Sequence, residues 1–281
     1  MDTVLEKKDM LGGFGHPHSL QVVYQEMNYE ADTVTITLPG VQNSGTWLFW
    51  PHLESLHQRG DYHPADVVLM DYWGWFSLVA VANELANKLQ QVSSWYQTIY
   101  LDGVSFGAKV FTHVITTLRA RGREDILSKI VFNAINPVIE PSNVLGKTFA
   151  AAKWLPYWLN PVLTLVLRRG HAAAWPKEAK SYGMLDDAVI IELNRDANMR
   201  IGWSLLKDQV RAMATELPEL YKPIDIRCNV VLSSYDDVID GVSAYQSLLK
   251  LFGAVDSVVL PTGHSTLAYE PEVWRKFYAV R

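Results

Sequence analysis

The sequence predicts an α/β fold, in which a mostly parallel sheet is flanked by helices and interrupted by an inserted helical block. Three observations carry this expectation. Short β-branched runs alternate with helix-patterned stretches over residues 22–136 and again after about 224. Val67, Val68 and Leu69 are apolar at successive positions, as strands buried on both faces are. Between Pro137 and Pro223 no strand run occurs, and roughly 85 residues are too many for a loop. The expected organisation is therefore a core over 1–136 and 224–281, with a helical insert over 137–223.

Val22–Met27 and Thr33–Leu38 are short strand-like runs, and the five residues between them suggest a hairpin. Pro39-Gly40 ends the second run. Trp47–His57 has the pattern of a short helix, and Asp66–Met70 that of a buried strand. Ser77 is placed to cap a helix running from Leu78 to about Gln91, whose Leu78, Val81, Leu85 and Leu89 recur at helical spacing. Gln97–Leu101 and Ile130–Ile135 are the next strands, with a helix from Ser105 to about Arg121 between them. The insert holds three helix-like stretches: Ala150–Leu167, broken by prolines, Asp186–Asn194 and Met199–Ala214. Asn229–Ser233 and Ser257–Leu260 resume the strands. A helix from about Gly241 to Leu251 lies between them, and Pro271–Val280 has the pattern of a closing helix.

Composition narrows the function. The chain has 281 residues, 49% hydrophobic and 20% charged, which is ordinary for a globular protein and excludes global disorder. A net charge of −5 argues against a nucleic-acid partner. Cys228 is the one cysteine, so neither a disulfide framework nor a Cys-rich zinc site is expected. The N-terminus lacks the basic-then-apolar order of a signal peptide. The strongest uncharged apolar run, Trp154–Leu167, has 14 residues and two prolines, whereas a membrane span needs about 18. A soluble, cytoplasmic protein is expected. Gly12-Gly13-Phe14-Gly15 lacks the strand–helix context of a dinucleotide loop, and His16 with His18 is too small a set for a metal, so no cofactor or metal is expected.

The richest stretch is Thr98-Ile99-Tyr100-Leu101-Asp102-Gly103-Val104-Ser105-Phe106-Gly107. A strand leads into Gly-x-Ser-x-Gly, and a helix follows. The pattern is weak alone, but in this context a sharp turn lifts the Ser105 hydroxyl above the sheet edge. A serine nucleophile needs a base, and the base needs an orienting acid. His264 follows the last strand and precedes the closing helix. Of the other histidines, five lie in the N-terminal loops or early helix, His113 lies two turns into the helix after Ser105, and His171 is in the insert. Asp236 and Asp237 follow the strand Asn229–Ser233, whereas the strand end at Asn136-Pro137 offers no carboxylate. Asp102, three residues before the serine on a central strand, fits either a buried carboxylate with a partner or a solvated strand end.

These residues resemble the α/β-hydrolase superfamily over nearly the whole chain. The order serine, aspartate, histidine is that family's, and Gly263-His264 matches its frequent Gly-His. Asp71-Tyr72-Trp73-Gly74-Trp75-Phe76-Ser77 is similar to the Asp-x-x-Gly-x-Gly-x-Ser loop, without the second glycine. Pro39-Gly40-Val41 is similar to the His-Gly-x loop, with proline for histidine. The usual Gly-x-x-Asp-x-Val/Ile aligns Asp237 as the acid, Ser234 replacing the glycine; Asp236 is the alternative. The resemblance implies a Ser105–Asp237–His264 triad, an oxyanion hole of the Val41 and Phe106 backbone N–H groups, and a helical insert that caps the site.

Trp47, Trp73, Trp154 and Trp158 are the expected pocket residues, and they favour a small hydrophobic or acyl-containing substrate. The apolar stretch of the insert is also compatible with weak contact to a membrane surface. The expected activity is hydrolysis of a hydrophobic carboxylic ester, lipid ester or thioester. The alternatives are a non-hydrolytic enzyme on the same fold, such as a lyase or C–C cleaving enzyme, and an idle ligand-binding homologue. The sequence leaves the oligomeric state open.

Overall fold

A computed structural model describes residues 20–28, 31–40, 65–72, 76–139, nine positions between 154 and 169, 203–217, 220–236 and 239–264. Its centre is a seven-stranded sheet: β1 Leu20–Glu26, β2 Thr33–Leu38, β3 Asp66–Tyr72, β4 Thr98–Val104, β5 Ile130–Ile135, β6 Arg227–Ser233 and β7 Asp256–Leu260. The spatial order is β1-β3-β2-β4-β5-β6-β7. β1 runs antiparallel to β3, and all other neighbours are parallel. The expected mostly parallel sheet is present.

The expected hairpin is not. β1 pairs with β3, from Leu20 opposite Tyr72 to Glu26 opposite Val67, and β2 lies between β3 and β4. Burial explains the choice. Every residue of β2 is buried, so it takes a partner on each side, whereas β1 is mostly half-buried and carries Gln21, Gln25 and Glu26, which suit an edge. The connection is fastened to β3, because the backbone N–H of Asn28 donates to Asp66 Oδ1 at 2.8 Å. The other Asp66 oxygen accepts from the Tyr96 hydroxyl at 2.6 Å, so this buried carboxylate is bonded on both sides.

Helix α1, Leu78–Val92, starts where Ser77 Oγ accepts from the Ala80 N–H, as expected of the cap. Its Leu78, Val81, Ala82, Leu85, Ala86, Leu89 and Val92 form one buried stripe. Helix α2, Phe106–Ala120, is buried on almost every side through Ile115. Short α3, Glu124–Leu127, returns the chain to β5. Helix α4, Trp203–Met213, matches most of the expected Met199–Ala214. Helix α5, Gly241–Phe252, is capped by Asp240, which accepts from the N–H groups of Val242 and Ser243. Within the insert the described residues include, besides α4, a 3₁₀ turn at Tyr157–Leu159 and helical backbone at Pro161, Val162, Leu165 and Arg169, and no strand. The helices expected at Trp47–His57, Asp186–Asn194 and Pro271–Val280 lie outside the described residues. No described helix is long and apolar enough to cross a membrane.

The central strands carry one polar row. Asp102 on β4, Asn133 on β5 and Asn229 on β6 are register partners. Asn133 Nδ2 donates to Asp102 Oδ1 at 2.7 Å, and Asn229 Nδ2 donates to Asn133 Oδ1 at 2.7 Å. Asp102 is therefore a buried, hydrogen-bonded carboxylate and not a solvated strand end.

Candidate active site

Ser105 joins β4 to α2 with φ 52° and ψ −111°, a left-handed conformation that non-glycine residues rarely adopt. The surrounding chain enforces it. A Cβ on Gly107 would lie 2.3 Å from the Leu38 carbonyl oxygen, and one on Gly103 would lie 2.5 Å from Ala108 Cα. Only glycines allow α2 to approach β2 and β4 this closely. Two backbone bonds hold the serine from the next strand's end: its N–H donates to Ile135 O at 2.8 Å, and its carbonyl accepts from Val138 N–H at 3.1 Å.

The side chain of Ser105 meets His264, with Oγ 2.9 Å from Nε2. On the other side of the ring, Nδ1 lies 2.7 Å from Asp236 Oδ2. A carboxylate only accepts, so Nδ1 carries the proton and Nε2 turns its lone pair to the serine hydroxyl. The imidazole is 10% exposed and the carboxylate 3%. Asp236 Oδ1 accepts from Ile239 N–H at 2.8 Å, which fixes the rotation of the carboxyl.

The expected acid, Asp237, lies outside the described residues, and the carboxylate that meets His264 is that of Asp236. The turn after β6 explains why. Ser234 N–H donates to Leu260 O, and Tyr235 N–H donates to Thr262 O, so the bonding between the β6 and β7 segments continues past both strands. Asp236 is the next residue beyond those bonds, beside the His264 loop. A motif aligned on Ser234 cannot resolve that single-residue offset.

Asn136 is a site residue that sequence reasoning passed over as a strand end without a carboxylate. It is buried, with φ 42°. Its Nδ2 donates to Ser233 Oγ at 2.7 Å and to the carbonyl of His264 at 3.0 Å, and its Oδ1 accepts from Ser233 N–H at 2.8 Å. The available signal was an asparagine immediately after a buried strand, one of the few non-glycine residue types that favour a left-handed turn.

Phe106 opens α2, so its backbone N–H is among those a helix start leaves without an intrahelical acceptor. Val41, the other expected oxyanion donor, lies outside the described residues. The Phe106 ring packs with Tyr72 and Phe76 at centroid distances of 5.6 and 5.4 Å, and Tyr72 donates its hydroxyl proton to Pro39 O at 3.0 Å. This aromatic cluster ties the loops around Ser105 together.

Beneath it, the buried Lys109 ammonium donates to Ile139 O at 3.0 Å and Met213 O at 2.6 Å, which links α2 to the end of α4. One turn further, burial and then the Lys109 charge lower the His113 pKa from 6.5 to about 4. Among the described residues its buried Nε2 has no hydrogen-bond partner, which accords with a neutral ring.

Of the expected pocket tryptophans, Trp47 and Trp73 lie outside the described residues. Trp154 and Trp158 are 79% and 75% exposed. Val162 and Leu165 are also exposed. Among the described residues no group of three or more His, Cys, Asp or Glu side chains is arranged to hold a metal ion.

No protein-family model matches the chain, and no curated protein does. Solved structures do match. An esterase from Thermogutta terrifontis aligns with a TM-score of 0.63 at 15% identity, over 92% of this chain and 91% of its own. A hydrolase from Oleispira antarctica aligns with a TM-score of 0.64 at 13% identity, over 98% of each chain. A thioesterase of the prodiginine biosynthetic pathway in Streptomyces coelicolor aligns with a TM-score of 0.56 at 15% identity, over 89% of each. At such identities the likeness defines the architecture: this chain has the α/β-hydrolase fold.

Proposed function

We propose that this protein is a serine hydrolase that cleaves hydrophobic carboxylic esters, lipid esters or thioesters through an acyl-enzyme. The observation that carries this reading is the pair of hydrogen bonds linking Ser105, His264 and Asp236, 2.9 and 2.7 Å long, at a strained strand-to-helix turn. Esterases and thioesterases among the similar solved structures support it.

In this mechanism Ser105 Oγ attacks the acyl carbon while His264 Nε2 takes its proton. Asp236 holds the ring in the reactive tautomer and stabilises the imidazolium that forms. The oxyanion is stabilised by the backbone N–H groups of Phe106 and Val41, each donor contributing on the order of 10²–10³ in rate. His264 then returns the proton to the departing alcohol or thiol. Water repeats the sequence on the acyl-enzyme, releasing the acid and regenerating Ser105.

Residues 137–223 form the cap over this site, with Trp47, Trp73, Trp154 and Trp158 at the substrate's apolar portion. The exposed Trp154, Trp158, Val162 and Leu165 support an apolar entry face. That face makes a weak contact with lipid, in keeping with Lys147, Lys153, Arg168, Arg169 and Lys177 and no carboxylate over residues 141–177.

A fluorophosphonate probe followed by peptide mass spectrometry tests the reading. Labelling is expected on Ser105, absent in Ser105→Ala and strongly slowed in His264→Ala. Folded wild-type protein that stays unlabelled, or labelling at another serine, overturns it.

A further inference from the structure

We infer that Asn136 is a positioning residue that sets the distance between nucleophile and base. The inference rests on the serine-hydrolase reading of Ser105 and adds to it a residue that touches neither substrate nor reacting atoms. The turn after β5 is bonded to both partners at once. Ile135 and Val138, on either side of Asn136, hold the Ser105 N–H and carbonyl. The Asn136 side chain holds the carbonyl of His264 itself, at 3.0 Å. One left-handed turn of three to four residues thus ties the backbones of serine and histidine, which are 159 positions apart in sequence.

The amide orientation is determined by its partners. Ser233 N–H can only donate, so it faces Oδ1; the His264 carbonyl can only accept, so it faces Nδ2. The second Nδ2 proton goes to Ser233 Oγ, and that hydroxyl donates in turn to Gly263 O at 2.8 Å. Asn136 therefore holds two successive residues of the His264 loop, one directly and one through Ser233. The backbone N–H of Asn136 is also engaged, donating to Val231 O at 2.9 Å. Aspartate is nearly the same size and keeps the acceptor for Ser233 N–H, but when ionised it has no proton for the His264 carbonyl. An amide performs this task and a carboxylate does not.

The test compares Asn136→Gly and Asn136→Asp in the wild-type and His264→Ala backgrounds. Glycine keeps the left-handed turn and removes only the side chain. The readout is the rate of fluorophosphonate labelling at Ser105, together with the downfield proton resonance of His264 Nδ1–H. In the wild-type background both substitutions are expected to slow labelling by about 10- to 10²-fold, the scale of a misplacement near 1 Å. In the His264→Ala background they are expected to change the rate by less than about twofold, because a residue acting through His264 has nothing left to position. Equal losses in both backgrounds, or full activity in Asn136→Asp, overturn the inference. If wild type is not labelled at all, the hydrolase reading falls while the resonance still reports on Asn136. Its loss in Asn136→Gly supports the positioning role, and an unchanged signal refutes it.

Discussion

Replacing Asp236 with asparagine removes one charge and almost no volume, which makes it the sharpest test of the site. The carboxylate lies 2.7 Å from His264 Nδ1 and is 3% exposed, so water does not substitute for it readily. In Asp236→Asn, Oδ1 still accepts from Ile239 N–H, as it does now at 2.8 Å. That bond leaves the new NH₂ group facing Nδ1. A donor there selects the tautomer with its proton on Nε2, which can no longer take a proton from Ser105. In a serine–histidine–aspartate site this wrong-tautomer change lowers kcat by about 10⁴, or roughly 5 kcal/mol of transition-state stabilisation. The assay is steady-state hydrolysis of a chromogenic short-chain ester, with circular dichroism confirming the fold. Asp237→Asn serves as the paired control and is expected to leave kcat within about threefold, the scale of a substitution that removes no key contact. A large loss in Asp237→Asn with activity retained in Asp236→Asn would refute the assignment of the acid and with it the geometry of the β6 turn.

Three further outcomes follow from the geometry. Gly107→Ala would force a Cβ to 2.3 Å from the Leu38 carbonyl, which belongs to a buried strand and cannot yield, so it should cost about 3 kcal/mol or more; Gly122→Ala meets only the left-handed penalty of about 1–2 kcal/mol. Urea midpoints of the two variants check this, and equal effects would be inconsistent with the crowded turn. His113 has its folded pKa lowered from 6.5 to about 4, so the unfolded chain takes up a proton in that window that the folded chain refuses. Stability should therefore fall as pH drops from 6.5 toward 4 and level off below, by at most about 3 kcal/mol and less where water reaches the ring. His113→Leu should flatten this part of the profile, and identical profiles for the two proteins would exclude His113 as the cause. Co-sedimentation with vesicles containing anionic lipid should be weak in wild type and lost in the Trp154→Ala/Trp158→Ala double variant. Retention of binding by that variant would rule out the exposed tryptophan row as the lipid contact.

Much of the architecture was legible because each signal is local. Buried parallel strands are apolar at successive positions, so β3 and β5 were found with ends correct to within two residues. Helix α1 announced itself through Ser77 and its apolar spacing. Strand order was not legible. The runs at β1 and β2 look like hairpin partners, and only the demand of β2 for a strand along each edge sends it between β3 and β4. Asp102 was equally undecided, because its partner Asn133 lies on another strand.

The candidate site divides the same way. Gly103, Ser105 and Gly107 are legible because a strand-to-helix turn this tight admits few residue types, and His264 because it stands just past the last strand. The choice between Asp236 and Asp237, and the presence of Asn136 behind the histidine, belong to the tertiary structure. Both depend on hydrogen bonds between strand ends far apart in the chain, whose register is set by the sheet as a whole. Sequence alone determined which elements form and which turn carries the serine, because those follow from propensity and sterics over a few residues. Folding decided which carboxylate reaches the imidazole and which amide holds the His264 carbonyl, because a shift of one residue along a turn changes which side chain faces the histidine.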